Sequence, residues 1–324
     1  MPDLVNDPVD LLLALDPGAR GIGKLFQFGG AQRAAEALWG ARRVVITTGF
    51  VVASGTAETD GPPGAAVLGR ALRHLGADVG YVTDAVTAPV LAATLAALGE
   101  PKDVTCYPAG PEAARDTLER MQPSHLVAIE RPGRAQDGVY RNMRGDDVSA
   151  WNAPLDELFL LAQRPGERSH ARLDQPTRGT SRPRGPRYNN PRYNKTRLER
   201  AHDRVTTIGV GDGGNEIGMG NVRARLRGAA ALAKRIASVV RVDHLVVAGV
   251  SNWGAYGIAA HLGRLAGRPL LHTPDEERRI VGACVSAGAC DGVTRRREAT
   301  VDGLPLDVHA ALVALLAVAT QRRS

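Results

Sequence analysis

Short apolar, β-branched runs recur along the chain, and each is followed by a polar or glycine-rich stretch. Runs of this length between turn residues read as strands buried on both faces. They predict strands at Val44–Thr48, Val79–Thr83, Val104–Tyr107, His125–Ile129, Val205–Val210 and His244–Ala248. Longer mixed segments between them predict helices at Pro62–His74, Pro89–Leu98, Pro111–Met121, Pro154–Gln163, Arg225–Val239, Tyr256–Leu265, Pro274–Ala287 and Leu306–Thr320. Five of these open on proline, whose missing N–H would be unpaired in a first helical turn anyway. The alternation predicts an α/β fold, a mostly parallel sheet flanked by helices in three layers, Rossmann-like in outline. A chain of 324 residues can build this as one domain over residues 1–324.

One segment breaks the pattern. Residues 163–204 hold almost no aliphatic side chains and repeat Arg, Pro and Asn without a period. Such a stretch cannot bury enough apolar surface to offset its ordering entropy, so it predicts a disordered insertion. It also carries twelve Lys and Arg against four Asp and Glu, which accounts for the net charge of +7 and leaves the rest of the chain close to neutral. The basic balance therefore belongs to one loop, and it argues for a small-molecule partner over a nucleic acid. No apolar run is long enough to span a membrane. The acidic, proline-containing N-terminus resembles neither a signal nor a transit peptide, which predicts a cytoplasmic protein. Cys106, Cys284 and Cys290 form no metal or disulfide framework. A homo-oligomer is left open.

The chemistry concentrates after the predicted strands. Val205–Val210 runs into Gly211-Asp212-Gly213-Gly214-Asn215-Glu216-Ile217-Gly218-Met219-Gly220. Gly209-x-Gly211-x-x-Gly214 matches a dinucleotide fingerprint literally, but Asp212 would face the pyrophosphate and no acidic residue follows a second strand to take the ribose. The fold is therefore expected to lack a dinucleotide site. Two carboxylates among glycines suit a divalent cation, or proton transfer at a small polar substrate. Glu58 and Asp60 precede a proline-started helix, where Asp60 could serve as a plain N-cap. Arg131 and Arg134 leave the fourth strand and could grip a substrate carboxylate. Ser251 and Asn252 follow the sixth strand, where either could cap a helix. In open parallel sheets these strand ends share one edge, where ligands bind.

Taken together, Thr48-Gly49-Phe50, ETDGPPGA from Glu58, IERPGRA from Ile129, GVGDGGNEIGMG from Gly209, GVSNWGAYG from Gly249 and the tail LLHTPDEE…GACDGVTRRREATVDGLP resemble the D-glutamate cyclase family. The resemblance runs in order over most of the chain and suggests a stand-alone cyclase domain, with the Arg/Pro-rich stretch as a departure from the family pattern. It implies a hydro-lyase that converts D-glutamate to 5-oxo-D-proline with Mn²⁺ or Mg²⁺. On that reading Asp212, Glu216, Glu58 and Asp60 are the metal ligands, and Asp212, Glu216 and Glu58 also the candidates for proton transfer. Arg131, Asn215, Asn252 and the backbone at Gly213 and Gly214 contact the substrate. The residues by themselves also allow a Mn/Mg-dependent hydrolase or phosphatase, or a non-catalytic metal or metabolite binder.

Overall fold

The computed structural model describes residues 7–52, 54–163, 204–226 and 230–321. Six parallel strands form the central sheet: β1 (Arg43–Thr48), β4 (Asp78–Thr83), β5 (Val104–Cys106), β6 (His125–Ile129), β7 (Thr206–Gly211) and β8 (His244–Val247). Two small hairpins, β2 (Val51–Val52) with β3 (Thr56–Ala57) and β9 (Thr300–Val301) with β10 (Leu304–Pro305), stand outside it. The helices are α1 (Pro8–Leu13), α2 (Gly30–Leu38), α3 (Pro62–His74), α4 (Ala88–Ala97), α5 (Ala113–Met121), α6 (Asp156–Ala162), α7 (Ala231–Ile236), α8 (Ser251–Ala266), α9 (Pro274–Ser286) and α10 (Leu306–Thr320).

The sheet order is β5-β4-β1-β6-β7-β8. Numbering only the sheet strands along the chain, this is the doubly wound order 3-2-1-4-5-6, whose direction reverses between β1 and β6. Register makes the reversal useful. Thr48 pairs with Ile129, and Ile129 with Val210, so the loops leaving β1, β6 and β7 begin at the same level. The Val/Ile-rich centres of these strands are buried, as a sheet covered on both faces requires. No helix of the described residues is long and apolar enough to cross a membrane.

The six strands fall where the alternation predicts them, within a residue or so at each end. Three helical expectations change. The segment expected as one helix, Arg225–Val239, contains a 3₁₀ turn (Arg223–Leu226) and the short α7. Beyond α7 the chain turns extended at Ala237, and Val239 N–H and Val240 C=O bond neighbouring loops instead of a helix. Helix α8 begins at Ser251, ahead of the expected Tyr256, because its first amides find an acceptor elsewhere in the fold. Helices α1 and α2 were not anticipated. Asp7 caps α1 through Val9 N–H with Pro8 next in line, a legible start signal for so short a helix. The expected Arg/Pro-rich insertion lies almost wholly outside the described residues.

Candidate functional site

The loops at the switch point bring six carboxylates together: Glu58 and Asp60 after β1, Glu130 after β6, Asp212 and Glu216 after β7, and Asp302 from the β9–β10 hairpin. Glu58, Glu130, Asp212, Glu216 and Asp302 line a cavity of about 250 Å³, together with Arg20, Asn142, Asn215, Gly292 and Arg295. That volume suits a small metabolite and lies below the range of drug-sized sites.

Each carboxylate is held by a local device. Glu130 takes a left-handed backbone, φ 43°, which places its side chain against Ser251, whose hydroxyl donates to it at 2.6 Å. Strain of this kind in a non-glycine residue clusters at functional sites. Asp60 accepts the N–H groups of Ser251 and Asn252 at the start of α8, at 3.0 and 2.8 Å. Asn252 returns the arrangement: its Oδ1 accepts the Gly61 and Gly64 amides at the start of α3, at 3.0 and 2.8 Å. Two helix N-termini thus cap each other and turn their positive ends toward the acidic cluster. Gly64 permits the approach, since a Cβ there would sit 3.0 Å from Ala255 Cβ.

Asp302 occupies a two-residue hairpin turn with Gly303, both at positive φ, the type I′ geometry that Asp-Gly favours. Its carboxylate pairs with Arg20, which also meets Asp212 at 2.5 Å. Arg20 reaches the site from a loop that Asp16 ties down by accepting the Arg20 and Gly21 amides.

Arg20 and Arg295 together cannot neutralise six acids. Burial, then the charges of Asp302 and Asp212, pushes Glu58 and Asp60 well above the usual carboxylate range. Burial followed by Asp212 and Glu216 does the same for Glu130. Burial raises Asp212 to about 6 against the pull of Arg20, and burial with Asp212 beside it raises Asp302 to about 8. Such a cluster demands protons or a cation. A cation fits the donors present. Asp60, Glu130 and Asp212 are buried and each offers an oxygen within 4.8 Å of the others. Asp212 Oδ2 is buried with no hydrogen-bond partner. An all-carboxylate donor set suits a hard ion such as Mg²⁺ or Mn²⁺.

The residues singled out from sequence divide. Asp212 and Asp60 meet with Glu130 in the three-carboxylate group, Glu58 lines the cavity outside that group, and Asn215 lines the cavity while donating to the Arg141 carbonyl at 2.7 Å. Glu216 lines it too, but its two oxygens accept the Asp212, Gly213 and Gly214 amides at 3.2, 2.6 and 2.8 Å. Those are the amides a pyrophosphate would need, so the glycine loop binds its own carboxylate where a dinucleotide loop binds phosphate. The Gly213 and Gly214 amides are therefore committed to Glu216 and not free for substrate. Asn252 is spent on the α3 cap and stands apart from the cavity wall.

Arg131 requires a correction. Its side chain is fully buried, ion-paired in two directions with Asp84, and bonded to the Gly49 and Ala153 carbonyls at 2.9 and 2.6 Å. It ties the ends of β1, β4 and β6 together and has no face toward the cavity. Arg134 likewise grips Asp156 at 2.7 Å. Sequence reasoning assigned no role to Glu130 and passed over Arg20, Asp302 and Arg295. Arg20 lies in a loop without periodicity, and the Asp-Gly turn supplies a sufficient reason of its own for Asp302.

With the geometry in place, comparison with known proteins is informative. The chain is 30% identical over 353 aligned residues to a human protein named D-glutamate cyclase, mitochondrial, covering 94% of this chain and 50% of that one. It thus spans about half the length of that relative. A solved Bacteroides fragilis structure, described as an exopolyphosphatase-related protein, overlays with a TM-score of 0.40 at 7% identity, covering 92% of this chain and 58% of that one, too distant to bear on either fold or function. The family model described as D-glutamate cyclase-like, C-terminal matches residues 9–171 and 194–317, pausing only inside the Arg/Pro-rich segment. The chain belongs to the D-glutamate cyclase-like family.

Proposed function

We propose that this protein converts D-glutamate to 5-oxo-D-proline with loss of water, assisted by Mg²⁺ or Mn²⁺ held by Asp60, Glu130 and Asp212. The supporting observation is the buried three-carboxylate cluster at the switch point of a sheet whose chain belongs to this family.

The reaction joins the α-nitrogen to the carboxyl carbon of the γ-carboxylate of the same molecule. Two protons leave the nitrogen, and both end on the γ-oxygen that departs as water. When bound, the divalent cation draws charge from the γ-carboxylate and makes it a better electrophile. Glu58 faces the cavity with no hydrogen bond to its carboxylate among the described residues. From that position its carboxylate can take a proton from nitrogen and pass it to the leaving oxygen. Asn215 and Asn142 on the cavity wall, with the enclosing loops, hold the substrate folded on itself, which contributes by orientation. Arg20 keeps Asp212 and Asp302 apart in charge and fixes their direction.

The test is chiral mass-spectrometric detection of 5-oxoproline from D- or L-glutamate, with Mn²⁺ or with EDTA, beside an Asp212→Asn variant. Metal-dependent product from the D isomer only, lost in the variant, is expected. Release of phosphate or another leaving group from generic substrates, without oxoproline, would replace this reading with a metal-dependent hydrolase.

A further inference from the structure

Arg295 lines the cavity that holds Glu58 and Asp212. Its backbone is left-handed at φ 63°, an unfavourable conformation for a side chain this long. Its Nε is buried without a hydrogen-bond partner, and the described residues place no carboxylate within ion-pair reach of its guanidinium. A buried guanidinium donor left unpaired is costly. The strained loop is nonetheless held firmly. Asp291 accepts the amides of Val293 and Thr294, both at 2.8 Å, and of Gly303 at 2.7 Å, so the Arg295 loop and the Asp302 hairpin are one rigid unit. Arg295 N–H closes the turn onto the Asp291 carbonyl at 2.9 Å.

Two of the other cations at this edge are committed to carboxylates. Arg20 is paired with Asp212 and Asp302, and Arg131 with Asp84. Arg144 is exposed at the rim, where it donates to the Val293 carbonyl at 3.2 Å. Arg296 and Arg297, which follow in sequence, are exposed. Strain and an unpaired planar donor, both directed to one cavity, match a carboxylate that arrives with the substrate.

We propose that Arg295 binds the α-carboxylate of the substrate, and so makes the site selective for dicarboxylates over monocarboxylates. This rests on the cyclase reading, in which the γ-carboxylate lies at the acidic cluster. The second negative charge then needs a cation of its own in the cavity wall, because the cluster repels it.

Glutarate carries both carboxylates and no amine, so it cannot cyclise; butyrate carries one. Both are titrated, with Mn²⁺ present, into wild-type protein, Arg295→Gln and Arg295→Lys, by calorimetry and thermal shift. Wild type is expected to prefer glutarate by on the order of 10- to 150-fold, the worth of charged hydrogen bonds. In Arg295→Gln the preference collapses to within about threefold, through weaker glutarate binding with butyrate unchanged; Arg295→Lys keeps part of it. The kcat/KM for D-glutamate falls in parallel, mostly through KM. An unchanged glutarate-to-butyrate ratio in Arg295→Gln, or an equal loss of both ligands, overturns the proposal. Failure of the cyclase reading looks different: wild type then forms no 5-oxoproline, while the glutarate-to-butyrate ratio still decides what Arg295 recognises.

Discussion

Replacing Arg131 with methionine separates a framework role from a substrate role. The variant keeps the length of the buried stem and deletes the guanidinium. Asp84, 6% exposed, then keeps only the Ala153 amide at 2.6 Å, and the Gly49 and Ala153 carbonyls lose their donor. Breaking a buried ion pair from one side costs about 3–5 kcal/mol, because the surviving charge is stranded. At roughly 2 °C per kcal/mol for a chain of this size, Arg131→Met should melt about 6–10 °C below wild type. Circular-dichroism melts and urea titrations measure it. Adding Asp84→Leu removes the stranded charge and should recover about half of the loss, with the orphaned backbone groups keeping the rest. Below the melting range, KM for D-glutamate should match wild type. A melting point within about 1 °C of wild type, accompanied by a raised KM, would refute the framework role and return Arg131 to the substrate.

Other perturbations test other parts of the structure. Gly209→Ala places a Cβ against the Ile217 carbonyl inside van der Waals contact and 3.1 Å from Gly218 Cα, so urea unfolding should show a loss of about 1–3 kcal/mol together with reduced activity. Thr273→Ala removes the capping box of α9 and should lower the unfolding free energy by about 1 kcal/mol. Glu276 is held down to about 2, first by its hydrogen bond from Arg70, against an ordinary value of 4.5. A depressed carboxylate stabilises fully above its unfolded pKa and loses that contribution as pH falls toward the folded one, so the stability gap between wild type and Glu276→Gln should close between pH 4.5 and 2. Mn²⁺ at 100 times its Kd should stabilise wild type by about 2.7 kcal/mol in thermal shift, and Asp212→Asn should lose most of that gain.

The strands were legible because a sheet covered on both faces leaves its mark as continuous Val/Ile runs, and their polar successors then had to share an edge. That reasoning brings Asp212, Glu58 and Asp60 to one place. It reads residue type but not direction. Arg131 and Arg295 are both arginines in polar loops, and nothing in their neighbours says that one turns inward to Asp84 while the other lines the cavity. Ser251 and Asn252 looked like ordinary caps; in the fold their amides and the Asn252 side chain exchange bonds with the Asp60 loop, a long-range pairing that no local pattern encodes. Glu216 matched the cation reading by type, yet three amides of its own loop hold its oxygens.

Arg20 and Asp302 meet although nearly the whole chain lies between them. As the polypeptide is synthesised, the sheet strands and five of the six acids precede the hairpin that supplies the sixth. Every shorter intermediate therefore holds a crowd of like charges without its closing turn, and loop closure over so long a span is a late event in folding. The acidic site would be completed in a single final step. A nick on either side of the sheet would part Arg20 from Asp302 while the strands stay paired.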